Sequence, residues 1–310
     1  MTRRARLRAL AKINLDLRIL AKRPDGYHEL RTVFQTISLA DTLEITFTPG
    51  RKTSIELDDH LAISDNLVIR AAQLVLDAAR VHGMVAIRLT KRIPMGAGLG
   101  GGSSDAAAVL LALPVLAGRV VPMSCLAHLA QQLGSDVTFF LLGGAAVGIG
   151  RGTEVFPLPD TPARPGILIA PRVHVSTAEA YRRLSPHLTT ELQQNKIFSF
   201  GCQDWAGGVS GAVCNDFETV VFAQHPRLAA LKKRLARAGA SPALMTGSGS
   251  ALFGLFRTRA EASRALATLG KENAFRISLV NRARYRAMWW RALEEHIDHR
   301  LWPPQSRYVP

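Results

Sequence analysis

No part of this chain restricts its possible folds more than the stretch from Lys91 to Ala108. It reads Lys-Arg-Ile-Pro-Met-Gly-Ala-Gly-Leu-Gly-Gly-Gly-Ser-Ser-Asp-Ala-Ala-Ala. A β-rich run, Val85-Ala-Ile-Arg-Leu-Thr90, precedes it, and an Ala- and Leu-rich run at 106–113 follows. The pattern predicts a strand, a glycine loop and a helix N-terminus. Gly96, Gly98, Gly100, Gly101 and Gly102 carry no Cβ to hold a ligand off the backbone. Their amides and the first N–H groups of the helix can converge on one spot, which the helix dipole makes attractive to an anion. Phosphate is the expected guest. The bland alternative is a plain turn, for which five glycines before Ser-Ser and an Ala helix make a costly sequence.

Three phosphate loops compete for this stretch. Gly96-Ala-Gly98-Leu-Gly-Gly101 satisfies a dinucleotide-type GxGxxG, but no Asp or Glu lies between Asp105 and Asp136 to hold a ribose. A Walker A loop needs Lys before the Ser/Thr, and Gly102 stands there. The third kind holds a nucleotide by backbone alone and takes its charged groups from elsewhere in the chain.

Composition sets wider bounds. The chain of 310 residues has room for one large domain or two ordinary ones, and 47% hydrophobic residues suit a soluble protein with a substantial core. Cys125, Cys202 and Cys214 are scattered, with no CxxC, which fits a reducing, cytoplasmic setting and no structural zinc. No apolar run is long enough to span a membrane. Arg3, Arg4, Arg6 and Arg8 could begin a signal peptide, but Lys12, Asn14, Asp16 and Arg18 break its would-be apolar core. The net charge of +15 fits an anionic substrate, nucleic acid, an acidic membrane surface or merely a solvated basic exterior.

Along the chain, residues 11–19 alternate. Ile13, Leu15, Leu17 and Ile19 are expected on a core face, with Lys12 and Asn14 sharing the other. Tyr27 and His28 leave the turn Pro24-Asp25-Gly26 directly. Strands are expected near 32–39, 42–48 and 54–57. A helix capped by Asp65 is expected to run to about His82. Pro114 is expected to end or kink the central helix, and Pro122 to open another that Gly134 stops. Asp136 then sits at a further helix start. Strands near 145–150 and 153–158 lead to a Pro-rich boundary at 158–165. Beyond it lie a strand at 167–171, a Ser176–Glu179 capping box opening a helix with Tyr181, and an unpatterned stretch at 188–205. A helical region at 215–238 and the turn Met245-Thr-Gly-Ser-Gly-Ser-Ala251 follow. A strand at 252–256, a helix at 260–269 and a strand at 275–280 close the pattern.

Phosphoryl transfer needs a carboxylate to accept the attacking hydroxyl's proton and a cation to offset charge. Asp136 and Lys12 can fill these roles. Read singly, Asp136 is an N-cap and Lys12 part of a solvated strand face. Ser103 or Ser104 could reach Mg²⁺ or phosphate, or could simply cap the helix. No spacing of carboxylates identifies metal ligands.

Pro94-Met-Gly-Ala-Gly-Leu-Gly-Gly-Gly-Ser-Ser104 resembles the central motif of the GHMP kinases, and Thr246-Gly-Ser-Gly-Ser-Ala251 resembles their third motif. Ala11-Lys-Ile-Asn14, Arg23-Pro-Asp-Gly-Tyr-His28 and Gly134-Ser-Asp-Val137 narrow the resemblance to members acting on a cytidyl diphosphate-linked methylerythritol. It extends over about residues 11–280. It implies a two-domain α+β fold: a ribosomal-protein-like N-terminal domain at 1–160, a ferredoxin-like C-terminal domain at 161–285, and a basic extension at 286–310. It implies ATP with Mg²⁺, a small-molecule cytidyl diphosphate substrate, phosphorylation at the C2 hydroxyl, and a monomer or weak homodimer without nucleic-acid or membrane partners. It makes Asp136 the base and Lys12 its cationic partner. ATP would meet Pro94, Met95, Gly96, Ala97, Gly98, Leu99, Gly100, Gly101, Gly102, Ser103 and Ser104, with Asn66 near the adenine. Asn14, Thr177, Gly247 and Ser248 would serve the substrate, and His28 would bond the cytosine between Tyr27 and Tyr181.

Two features depart from the pattern. Asp105 stands where relatives often carry Asn, and the tail with Trp289, Trp290 and Trp302 lies beyond the family core, open to reading as an amphipathic helix packed on the domain, an oligomer contact or a surface for an acidic partner. Two other functions compete. One is a mevalonate- or homoserine-type GHMP kinase, which has no evident need for Tyr27-His28. The other is a nucleic-acid-binding module, for which the clusters at 3–8 and 232–237 lack stacking aromatics.

Overall fold

The computed structural model describes residues 1–61, 63–160, 162–185 and 213–309. The stretch expected as a loop at 188–205, with Cys202, lies outside the described residues. Two sheets form. The first has six strands in the order β3-β4-β2-β5-β6, with β1 paired to β2. Its strands are β1 (Arg3–Lys22), β2 (His28–Pro49), β3 (Ser54–Asp59), β4 (Gly83–Thr90), β5 (Ala145–Gly150) and β6 (Glu154–Pro157). Its helices are α1 (Leu67–Ala79), α2 (Gly101–Ala117), α3 (Met123–Leu133) and α4 (Val137–Leu142). The second sheet runs β10-β7-β9-β8. It uses β7 (Pro165–Ile169), β8 (Ala243–Met245), β9 (Leu252–Leu255) and β10 (Ala274–Ser278), beside α5 (Thr177–Leu184), α6 (Phe217–Gln224), α7 (Pro226–Arg237) and α8 (Arg259–Thr268). The last helix is α9 (Arg282–Leu293).

The strands expected at 32–39 and 42–48 are one continuous strand, β2. It pairs with β5 through its first half and β4 through its second, so no turn is needed between them. β1 alternates as expected, yet both faces are buried. Ile13 and Leu15 pack in a core shared with Leu244 and Phe253 of the second sheet and with Leu279 just after it. Lys12, Asn14, Asp16 and Arg18, on the other face, are buried too. The polar face therefore lines an internal junction, and Lys12 is not on a solvated strand.

Three local expectations change. Asn66, not Asp65, caps α1: its Oδ1 accepts from Val68 N at 3.1 Å, while Asp65 sits at φ +50°. α2 runs through Pro114 to Ala117. Pro114 lies in the last turn, so a single intrahelical bond is lost, and the helix around it is buried throughout. The third change is the tail at 286–310, which is not a separate extension. Tyr285 and Trp289 join the core around α2 and α4. Tyr285 Oη donates to Phe140 O (2.6 Å) and Trp302 Nε1 to Leu141 O (3.0 Å). Two of the last carbonyls of α4, which a helix end leaves without intrahelical partners, are thereby satisfied from the far end of the chain. Among the described residues no helix is long and apolar enough to cross a membrane.

Candidate active site

Lys12 and Asp136 meet at the junction of the two sheets. Lys12 Nζ lies 3.3 Å from Asp136 Oδ2; the lysine side chain is 4% exposed and the aspartate 31%. Asp136 occupies the N-cap position of α4 but makes no side-chain capping bond. Its carboxylate is therefore left to Lys12 and the cavity in front of it, and the reading of Asp136 as a mere cap fails. The Lys12 ammonium also donates to Asn14 Oδ1 at 2.8 Å. Its backbone N–H donates to Leu99 O at 3.0 Å, tying the glycine loop to β1.

Two concavities meet here. The larger, about 870 Å³, is lined by Lys12, Asn14, Tyr27, His28, Asp136, Thr177, Tyr181, Gly247 and Ser248 among others. The smaller, about 380 Å³, is a groove walled by Asn66 and every residue from Pro94 to Ser103. Gly98 lines both. α2 opens at Gly100 in the left-handed region (φ +68°) with no side chain over its first amides. The N–H groups of Gly101, Gly102 and Ser103 thus start the helix at the groove wall, where its dipole favours anions.

Ser104 does not join that wall. It is buried, and its hydroxyl donates to Leu10 O at 2.7 Å on β1. Adjacent helix residues point about 100° apart, so the position that puts Ser103 on the groove turns Ser104 away. Asn66 reaches the groove wall, but its amide is largely committed. Oδ1 caps α1 and Nδ2 donates to Asp59 Oδ2 at 3.1 Å. Asn14 is similarly engaged: Nδ2 donates to Thr32 Oγ1 at 2.7 Å, and Oδ1 receives Lys12, Thr246 and Gly247.

The aromatic pocket differs from the expected sandwich. His28 stacks on Tyr181, with centroids 4.6 Å apart and planes at 24°, and Phe217 meets Tyr181 edge-on at 4.8 Å. Tyr27 is exposed and carries the Arg151 guanidinium 3.7 Å over its ring. Both tyrosines thus carry other partners, while Tyr27, His28 and Tyr181 all line the larger cavity. Burial pushes the His28 imidazole below its ordinary value and Lys22 acts in the same direction, so the ring is neutral at pH 7. The Ser185 hydroxyl donates to Tyr181 O at 2.9 Å, so at 2.7 Å from His28 Nε2 it must accept. This network assigns the Nε2–H tautomer and leaves Nδ1 as an acceptor.

Sequence reading passed over the cluster behind the groove. Lys91 Nζ is held by Asp41 Oδ2 (2.5 Å) and Asp105 Oδ2 (2.7 Å). Asp105 Oδ1 is buried without a partner. Burial pushes the Asp105 carboxyl up to about 7, with Lys91 opposing and Asp41 reinforcing. The Asp105 carboxyl thus turns inward, onto Lys91. A lysine directly after a strand and next to a phosphate loop was the available signal. Arg151 was missed for want of any local pattern.

The chain matches the GHMP kinases N terminal domain over residues 66–144 and the GHMP kinases C terminal domain over residues 203–274. It is 68% identical to a 4-diphosphocytidyl-2-C-methyl-D-erythritol kinase of Solibacter usitatus (strain Ellin6076), over 100% of this chain and 99% of the relative. A kinase of the same name from Geobacillus sp. (strain WCH70) is 41% identical over 80% of this chain and 87% of its own. Among solved structures, a 4-(cytidine 5'-diphospho)-2C-methyl-D-erythritol kinase is similar at a TM-score of 0.73 and 38% identity, covering 90% of this chain and 99% of that one.

Proposed function

The chain belongs to the GHMP kinase family, among its 4-diphosphocytidyl-2-C-methyl-D-erythritol kinases, and we propose from that premise that it moves the γ-phosphoryl group of ATP onto the C2 hydroxyl of 4-diphosphocytidyl-2-C-methyl-D-erythritol. The products are the 2-phosphate and ADP, in the non-mevalonate route to isoprenoid precursors. One observation carries the reading. An uncapped carboxylate, Asp136, stands beside a buried ammonium, Lys12, where a substrate-sized cavity and a glycine groove share Gly98.

ATP lies with its phosphates along the groove, against the amides that open α2. The alcohol lies in the larger cavity, so the transferred group passes Gly98. Asp136 accepts the proton of the attacking hydroxyl as the new P–O bond forms. Lys12, desolvated and tethered by Asn14, offsets charge on the transferred group and orients the carboxylate. Because such a transfer demands little covalent chemistry of the protein, positioning and charge make most of the rate. Among the described residues no three His, Cys, Asp or Glu side chains cluster as a metal site. A Mg²⁺ arriving on the nucleotide would be held mainly by phosphate oxygens, with Ser103 on the groove wall and Asp136 in the larger cavity as this chain's oxygen donors, and would neutralise phosphate charge. Both substrates are water-soluble anions, which supports a cytoplasmic reaction and relates the basic surface to small anions rather than to nucleic acid.

The neutral Nε2–H tautomer of His28 supports cytosine selection. Its free Nδ1 can accept from the cytosine amine, whereas uracil offers a carbonyl oxygen there and the two acceptors repel. A polar site rejects the analogue that leaves its groups unpaired. Wild type is therefore expected to prefer the cytidyl over the uridyl substrate. His28→Ala should weaken the cytidyl substrate by about 1–3 kcal/mol and lose much of that preference. Steady-state kinetics on both nucleotides decide it; equal use of both by wild type would remove the cytosine pocket from His28.

A further inference from the structure

The turn Thr246-Gly-Ser-Gly-Ser-Ala251 is held in place by a residue with no role in the chemistry so far. Asn215 precedes α6 and is 3% exposed. Its Nδ2 donates to Met245 O and to Gly247 O, each at 2.8 Å. Its Oδ1 accepts from Phe217 N at 3.0 Å, at the start of α6. With two donors and an acceptor spent on backbone, the amide has one orientation in which all are satisfied.

Asn215 is itself anchored to β1. It bridges to Leu17. Leu17 N donates to Cys214 O at 2.8 Å, and Asp216 N donates to Leu17 O at 3.0 Å. On the other side of the turn, Gly247 N donates to Asn14 Oδ1 at 3.0 Å and Thr246 Oγ1 to the same oxygen at 3.2 Å. That oxygen also accepts from Lys12 Nζ at 2.8 Å. Gly247 packs on the phosphate loop as well, since a Cβ added to it would stand 3.1 Å from Gly98 Cα.

We propose that Asn215 is a positioning residue for the phosphoryl transfer: by holding Gly247 against Asn14, it fixes the oxygen that aims Lys12 at Asp136. This role rests on the kinase reading above. Asn215 lines neither cavity and acts through the turn.

Asn215→Asp separates this role from a purely structural one. The aspartate keeps the size and the acceptor for Phe217 N, so α6 still starts. It has no N–H, and sets a carboxylate against the two carbonyl oxygens. Asn215→Ala removes the side chain altogether. Both variants are expected to lower kcat about 10- to 100-fold, the usual effect of a small misplacement remote from the chemistry. KM for ATP should stay within about threefold. In a Lys12→Ala background, Asn215→Asp should cost no more than about another threefold, because the two residues act along one line. Kinetics are run with melting curves on each variant. A normal kcat in Asn215→Asp, fully multiplied losses in the double variant, or failure of both single variants to fold would each overturn the positioning role. An unmutated enzyme inactive toward the cytidyl substrate would instead overturn the kinase reading, and this role with it.

Discussion

Asp136→Asn is expected to lower kcat about 10²- to 10⁴-fold while ATP affinity stays within a factor of about three. The carboxamide keeps the size of the side chain and can still reach Lys12 through its oxygen, so the fold and the groove are undisturbed. It cannot take the hydroxyl's proton. Removal of a capping bond would not confuse the result, because the Asp136 side chain makes none. Rapid-mix turnover, beside calorimetry with a non-hydrolysable ATP analogue, separates chemistry from binding. A variant with near-normal turnover would leave proton removal to some other group.

Gly98→Ala should be nearly as damaging, although it adds one methyl. Gly98 has φ +78°, a conformation that costs an L residue about 1–2 kcal/mol. Its new Cβ would run into the carbonyl oxygen of Thr246 and stand 3.2 Å from the carbonyl carbon. Both obstacles are backbone, so nothing flexible can yield. The loop or the Thr246–Gly247 pair must move, and with it the donors to Asn14 Oδ1. We expect kcat/KM for ATP to fall about 100-fold or more. Gly96→Ala is the internal control: its φ is also positive (+65°), but a Cβ there meets nothing within 4 Å. It should lose about tenfold at most, from the backbone conformation alone. Equal losses in the two variants would mean that the close approach to Thr246 is irrelevant.

What could be read before folding was local. The strand, glycine loop and helix start at 83–104 are determined by glycine freedom, helix propensity and neighbouring residues, and they appear where expected. The two phosphotransfer motifs also come together, with Ala251 N donating to Ala97 O at 3.3 Å. What was misjudged depends on partners far along the chain. Lys12 lies on an alternating strand whose polar side looks solvated until the second sheet covers it. Ser103 and Ser104 are the same residue type, and only helix phase against β1 decides which faces the groove. The tail looks like a charged appendage because its arginines dominate its composition. Yet Tyr285, Trp289 and Leu293 recur every four residues and are buried together, which is the amphipathic helix packed on the domain that the sequence offered beside an oligomer contact and a surface for an acidic partner. Tyr27 and Tyr181 do not face each other for a different reason: the Arg151 guanidinium and the His28 ring, which spacing does not foretell, lie on those rings.

Product analysis tests the kinase reading most directly. The chain is incubated with ATP and, in parallel, with 4-diphosphocytidyl-2-C-methyl-D-erythritol, mevalonate or homoserine, while ADP release is followed and the product is examined by phosphorus NMR. The expected result is rapid ADP release with the cytidyl substrate alone, matched one for one by a new phosphate monoester on C2. Release that is as fast with mevalonate or homoserine, or a phosphate carried on any other oxygen, would contradict it.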